Sequence, residues 1–146
     1  DHVRKAINQL GEISIWQVDM KPGRPFAFGF INNKPVFALP GKPVAAFTIY
    51  HLFVLPALLR AQGADCFMPV SYWVQAEFKL TSGKKREFLS ARLSSDSGKP
   101  IVCLDETEKK ESSIISMAKA TGFILVEPEQ TIQQGDFVLY YPVSLA

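Results

Sequence analysis

The spacing of apolar and polar residues in the first part of the chain predicts a helix followed by a strand. Apolar residues recur at helical intervals and a glycine follows them, at Val3, Ile7, Leu10 and Gly11. This pattern predicts the end of a helix over residues 2–10. Residues 13–18 are rich in β-forming residues, which favours a strand that reaches Val18.

Two further apolar runs predict a hairpin and a long helix. Residues 26–31 and 35–39 are β-rich and are separated by Asn32, Asn33 and Lys34, a sequence typical of a hairpin turn. An apolar segment then runs over residues 44–62, with Pro43 suited to its first helical position and Gly63 to its end. Pro56 should kink this helix, because proline removes one backbone donor. Apolar residues lie on almost every side of this helix. We therefore expect it to be buried on several sides and consider contact with a second subunit.

The second half of the chain carries short strand candidates divided by polar turns, which indicates a small barrel or sandwich. The strand candidates are residues 72–80, 87–93, 101–104, 123–127 and 137–141. A short helix is expected over residues 113–120, and residues 105–113 are polar enough to predict an exposed loop. The predicted fold is therefore part of an α/β domain over residues 1–66, followed by a small β-barrel or sandwich over residues 67–146.

Composition and charge place the chain among globular proteins and direct attention to its first half. Of its 146 residues, 47% are hydrophobic and 21% are charged, and the longest apolar run, residues 52–59, is too short for a membrane helix. Cys66 and Cys103 show no metal-ligand spacing, which favours free thiols and a cytoplasmic location. Residues 1–63 carry a net charge of +4 and the remainder −2. An anionic ligand is therefore expected in the first half. The acidic β half has no basic stripe with interleaved aromatic residues, which argues against nucleic-acid binding.

Two short proline–glycine turns are the candidate binding elements. The first turn, residues 21–25, reads Lys21-Pro22-Gly23-Arg24-Pro25 and sets two cations three positions apart on a stiffened loop. Lysine and arginine together suit a phosphate or another oxyanion. Taken alone, the first turn is better explained as an ordinary proline–glycine turn with solvated basic residues.

The second turn, residues 40–43, reads Pro40-Gly41-Lys42-Pro43 and joins a strand to a helix. Unpaired backbone donors and the positive end of the helix dipole favour an anion there. A strand-to-helix turn with geometry set by prolines is the alternative. Two such turns about twenty residues apart tilt the balance towards a binding site, without identifying the anion.

These segments resemble a known family in order along nearly the whole chain. Residues 21–29 are similar to the KPGKPxAFG segment of the molybdopterin molybdenumtransferases of the MoeA and gephyrin type, and residues 39–44 are similar to their LPGNPV segment. Residues 86–89 and 118–122 resemble the family's REFLR and ARANG segments. Residues 35–37 and 52–58 also fit.

The resemblance implies that residues 1–66 are part of a three-layer, MogA-like α/β domain. It also implies a reaction and a set of site residues. Members insert molybdenum from molybdate into adenylylated molybdopterin and release AMP with magnesium assisting, as homodimers whose C-terminal β domain helps to close the site. Asp1 would be the magnesium ligand and, with Lys21, a catalytic residue; as an alternative, Asp1 could cap the helix that follows. The substrate-binding residues implied are Lys21, Pro22, Gly23, Arg24, Pro40, Gly41, Lys42, Pro43 and Arg92. We expect the chain to be the C-terminal part of such an enzyme, with little or no turnover by itself.

Three departures from the family pattern keep a second function open. Lys42 stands where the family has asparagine, and Glu111 falls in a loop that is glycine-rich in the family. Ser90 stands where the family commonly has arginine, so Arg92 would have to supply that charge instead. The acidic side chain of Glu111 would repel an anionic ligand, although Lys109 and Lys110 offset part of its charge. The alternative is therefore a divergent, non-catalytic paralogue that acts as a scaffold or pterin-binding interaction module.

Overall fold

The computed structural model describes residues 2–96, 98–105 and 114–143, and the chain divides into two compact units between Phe67 and Met68. The predicted boundary lay one residue earlier. The predicted loop over residues 105–113, apart from Asp105, and the positions of Asp1 and Glu111 lie outside the described residues. Each unit is described separately below.

The first unit combines a three-stranded antiparallel sheet with two helical regions. Its elements in chain order are α1 (His2–Leu10), β1 (Gly11–Trp16), β2 (Ala27–Ile31), β3 (Lys34–Ala38), α2 (Pro43–Ile49), a π-helical segment (Tyr50–Val54) and α3 (Leu55–Ala61). The sheet has the order β1-β2-β3. The predicted first helix is confirmed, whereas the predicted extension of the first strand to Val18 is wrong. The strand ends at Trp16 because Gln17 adopts a φ of 66°, outside the extended region.

The predicted hairpin is confirmed, and its turn explains the asparagine pair. Asn32 and Asn33 have φ values of 50° and 60°. A two-residue hairpin turn with two positive φ angles matches the right-handed twist of the strands, and asparagine tolerates this conformation better than most residues. The turn thereby fixes the register, in which Ile31 pairs with Lys34 and Ala27 pairs with Ala38.

The predicted effect of Pro56 takes the form of a π-helical segment. The backbone N–H of Leu55 donates to the carbonyl of Tyr50, a bond that spans five residues, directly before the proline. Since Pro56 has no N–H to continue the α-helical ladder, the widened turn accommodates it. Length and composition alone would allow Pro43–Ala61 to cross a membrane, with a mean hydropathy of 1.6. The same helix contributes Ile49, which is completely buried, to the core of the first unit.

The second unit is a closed five-stranded barrel, so the predicted choice between barrel and sandwich resolves to a barrel. Its elements are β4 (Tyr72–Ala76), β5 (Leu80–Thr81), β6 (Glu87–Asp96), β7 (Lys99–Leu104), α4 (Ile114–Lys119), β8 (Gly122–Val126), β9 (Thr131–Ile132) and β10 (Phe137–Pro142). The strands follow the order β10-β4-β7-β6-β8 around the barrel. The strand predicted over residues 72–80 is split into β4 and β5, and β5 pairs with β9, which was not predicted.

Inward-facing residues of alternate positions fill the barrel. The fully buried members of this core include Val102, Ile124, Val126 and Tyr140. The Tyr140 hydroxyl reaches Thr121 Oγ1 at 2.8 Å, and the backbone N–H of Leu93 donates to the same oxygen at 2.7 Å. Burial raises the pKa of Tyr140, and the hydrogen bond with Thr121 acts in the opposite direction. The phenol therefore stays protonated at neutral pH and joins β10 to the start of β8.

Candidate functional site

Both proline–glycine turns lie at the same end of the hairpin in the first unit. The first turn precedes β2 and the second follows β3. Because Ala27 at the start of β2 pairs with Ala38 at the end of β3, the two turns lie at the same end of these strands. Trp16, the last residue of β1, pairs with Ala27 and brings the start of the first loop to this end as well.

The first turn is tied to the sheet and presents its cations to solvent. The N–H of Val18 donates to the carbonyl of Arg24 at 3.1 Å, and the N–H of Gln17 donates to the carbonyl of Phe26 at 2.8 Å. The peptide bond between Lys21 and Pro22 is cis. Lys21 and Arg24 are exposed, as an anion-binding element requires.

The second turn adds backbone donors and a third cation at this end. Gly41, Lys42 and Pro43 are exposed, whereas Pro40 is buried. A side chain at Gly41 would meet nothing within 4 Å, so this side of the turn is open. The positive end of α2 faces the same region and favours negative charge there. Asp19, which is exposed two residues before Lys21, offsets part of the positive charge.

Lys42 occupies the N-cap of α2 without capping it. Its backbone is extended, with φ −80° and ψ 125°, and its side chain makes no cap hydrogen bond. An ammonium group has no acceptor for the free N–H groups of the first helical turn, and its charge faces the positive end of the dipole. The sequence departure at this position therefore weakens the start of the helix while it adds a cation.

The substitution Lys42→Asn is expected to stabilise α2 by about 1 kcal/mol, because asparagine is among the best N-cap residues. Amide hydrogen exchange at Ala46 to Thr48, which lie in α2, measures this local stability. Lys42→Ala is the matched control, since it removes the charge without adding an acceptor, and it should recover only the smaller electrostatic part. Equal protection in the two variants would show that capping contributes nothing.

Arg92 lies in the second unit, on the wall of a cavity of about 270 Å³. Leu89 and Ala91 face the barrel core, so Ser90 and Arg92 lie on the outer face of β6, where α4 packs against this strand. Ser90 is buried and Arg92 is exposed. The cavity is lined by Ser90, Ala91, Arg92, Cys103, Leu104, Asp105, Ser116, Lys119 and Ala120.

Lys119 is a cation of this cavity that was not predicted from the sequence as a site residue. Its Nζ lies 3.6 Å from Asp105 Oδ2, so its charge is partly neutralised. The resemblance of residues 118–122 to a family segment pointed to this stretch of sequence, but one lysine near a helix end is usually a solvated residue. Only the packing of α4 on β6 places Lys119 in the same cavity as Arg92.

Cys103 is the thiol in this cavity, and its surroundings keep it protonated. Its Sγ donates to Glu77 Oε2 at 3.3 Å. Burial raises the pKa of Cys103, the hydrogen bond to Glu77 and that carboxylate's charge raise it further, and Arg92 opposes them. A protonated thiol is a poor nucleophile and a poor metal ligand. Polar binding, rather than covalent chemistry, is therefore what this cavity supports.

The described residues offer no ready-made site for magnesium. Within residues 2–96, 98–105 and 114–143, no three His, Cys, Asp or Glu side chains come together as metal ligands. Asp1, the magnesium ligand implied by the family resemblance, falls outside these ranges, so its role stays a prediction.

Comparison with known proteins matches both units to one group of proteins. Residues 1–60 match a family described as a probable molybdopterin binding domain, and residues 74–143 match the MoeA C-terminal region, domain IV. The chain is 38% identical over 103 residues to the molybdenum cofactor synthesis protein cinnamon of Drosophila melanogaster, which covers 67% of the chain and 17% of that protein. It is 35% identical over 63 residues to the molybdopterin molybdenumtransferase of Haemophilus influenzae, which covers 43% of the chain and 16% of that protein.

A solved structure extends this likeness to the fold. The crystal structure of the molybdopterin biosynthesis MoeA protein from Pyrococcus horikoshii is similar with a TM-score of 0.79 and 29% sequence identity, over 94% of this chain and 34% of that chain. The chain therefore spans about a third of the length of this structure and about a sixth of the two curated relatives.

Proposed function

The chain belongs to the MoeA family, with its first unit in the molybdopterin-binding domain and its second in domain IV, and on this basis we propose that it takes part in inserting molybdenum from molybdate into adenylylated molybdopterin. One relative is named molybdopterin molybdenumtransferase, and another is named as a molybdenum cofactor synthesis protein. The reaction would release AMP, with magnesium assisting. A homodimer in the cytoplasm is part of the same proposal.

The pairing of Ala27 with Ala38 is the observation that carries this proposal. It sets the Lys21 and Arg24 turn beside the Gly41 and Lys42 turn at one end of the hairpin. Exposed cations and backbone donors suit a phosphorylated, adenylylated pterin at this end. Arg92 and Lys119, in the cavity of the second unit, suit a second anion.

The proposed chemistry depends more on positioning than on acid–base catalysis. Molybdate and the adenylylated pterin are both anions and repel one another as they approach. Cations and backbone donors that are already fixed in place reduce this repulsion without reorganising during the reaction. The hydrogen bonds that hold the first turn fix the backbone from which the Arg24 side chain extends.

A second function, a non-catalytic scaffold that binds the pterin, is favoured by position 90. Ser90 is buried on the cavity wall, where the family commonly has arginine, so this part of the wall carries no cation. Arg92, two residues further along the outer face of β6, is exposed and would have to replace that charge. A scaffold would bind the pterin and release no AMP, even if the chain were joined to additional domains of a longer relative.

Calorimetric titration of the chain with adenylylated molybdopterin tests the proposed function. We expect saturable binding that is at least about tenfold tighter than binding of AMP alone, since AMP lacks the pterin phosphate that the two turns would hold. The affinity should fall as salt rises, because the cations are exposed and screened. AMP release with molybdate and magnesium should be little or none for the chain alone. Equal affinities for the two ligands would count against a pterin site on this chain.

A further inference from the structure

The first turn rests on a row of inward-facing residues that recur every third position. Met20, Gly23 and Phe26 are buried, whereas Lys21 and Arg24 between them are exposed. The turn therefore has a floor that packs into the first unit and an upper side that carries the two cations. Movement of the floor would shift the backbone that carries the two cations, because adjacent residues are joined by planar peptide units.

The long helix supplies the support beneath this floor. A Cβ at Gly23 would lie 2.8 Å from both Cγ1 and Cδ1 of Ile49, so the glycine backbone rests directly on that side chain. Ile49 is completely buried. One helical turn further, the ring of Phe53 stacks on Phe26 with centroids 5.6 Å apart. Gly23 has a φ of 117°, which other residues rarely adopt, so close approach and backbone conformation both require glycine.

Ile49 also links the first turn to the second. It lies six residues after Pro43, the first residue of α2, and a helix rises about 1.5 Å per residue. Its side chain is directed back towards the start of the helix, as side chains in α-helices are. The helix that begins at the second turn thus reaches the underside of the first turn within about 9 Å along its axis.

We propose that Ile49 is a positioning residue for the phosphate-binding site, and that it fixes Lys21 and Arg24 relative to the second turn by filling the space below Gly23. This inference rests on the proposed function for its ligand, a phosphate-bearing pterin nucleotide. Ile49 itself is buried and does not contact the ligand. Its effect is carried by the backbone of the first turn.

The variant Ile49→Ala is expected to weaken binding of adenylylated molybdopterin about tenfold. Displacement of the first turn would lengthen a charge-assisted hydrogen bond to the ligand, and losing part of such a bond reduces the affinity by about this factor. Ile49→Val keeps a branched side chain against Gly23 and should restore most of the affinity. Ile7→Ala is the matched control: Ile7 is a buried isoleucine of α1 in the same unit. It should destabilise the unit without changing the affinity. Titrations are made well below the unfolding temperature of each variant.

A ligand-independent readout separates failure of this inference from failure of the proposed function. The amide of Val18 donates to the carbonyl of Arg24 and therefore reports on the position of the first turn. Its hydrogen exchange should accelerate in Ile49→Ala and not in Ile7→Ala. If the unmodified chain does not bind the pterin, the proposed function fails and Val18 exchange alone decides the inference. Unchanged Val18 exchange in Ile49→Ala, or pterin affinity equal to that of Ile7→Ala, would overturn it.

Discussion

The double variant Lys21→Ala/Arg24→Ala is expected to bind adenylylated molybdopterin at least about a hundredfold more weakly than the unmodified chain. Each residue would supply a charge-assisted hydrogen bond to the phosphate, and such bonds contribute about 1.5 to 3 kcal/mol each. Both side chains are exposed, so their removal should leave the fold intact. Calorimetric titration gives the affinity, and circular dichroism of the same samples checks the fold.

A control with the same change in charge separates local binding from long-range attraction. Lys5 lies on α1 and Lys34 lies at the turn end of the hairpin, opposite the candidate site, and both are exposed. Lys5→Ala/Lys34→Ala should reduce the affinity only slightly, through the net charge, and less so as salt rises. If the two double variants lose equal affinity, the first turn is not the phosphate site.

The variant Gly122→Ala is expected to destabilise the barrel by about 3 kcal/mol, near the upper end of what overpacking usually costs. A methyl group at this position would overlap the backbone carbonyl oxygen of Tyr141 and would lie 2.6 Å from the hydroxyl of Tyr140. Tyr141 belongs to the strand that pairs with β8 and cannot move alone, and Tyr140 is held by Thr121. Hydrogen exchange at the buried Val126 and Val138, which lie in paired strands of the barrel, measures the stability of this unit.

Gly83→Ala provides the matched control within the same unit. A Cβ at Gly83 would meet only Glu87 Oε1, at an ordinary 3.6 Å. Since Gly83 also does not have a positive φ, this substitution should change the stability by less than about 0.5 kcal/mol. Equal stability of Gly122→Ala and the unmodified chain would mean that the strands around Gly122 can separate without loss.

Local sequence signals predicted most elements of the fold because those elements depend on nearby residues. The Asn32 and Asn33 pair required a tight turn with positive φ angles, and the apolar spacing of residues 2–10 required a helix. The strand β9 was missed because two residues are too few to show an alternating pattern. Pro56 predicted an interruption of the α-helical hydrogen bonds. Whether the interruption is a kink or a π-helical segment depends on the surrounding packing.

Only those features of the candidate site that depend on neighbouring residues in the sequence could be predicted. Residue types identified both turns as suited to anions, and the hairpin register then sets them at one end. Packing that involves distant residues was not predictable: Ile49 beneath Gly23, and Lys119 beside the outer face of β6, depend on contacts that no spacing in the sequence displays. The roles predicted for Asp1 and Glu111 stay predictions, because both residues lie outside the described part of the chain.

The order of strands around the barrel has a consequence for synthesis of the protein. Strand β10 lies between β4 and β8 in the barrel. Tyr72 in the first strand of this unit therefore pairs with Tyr140 in its last strand, across most of the unit's sequence. Contacts between residues so far apart in sequence form slowly. On the ribosome, β4 and β8 must wait with open edges until residues 137–142 have emerged, and nascent chains that stall before that point are the ones most exposed to misassembly and to chaperones.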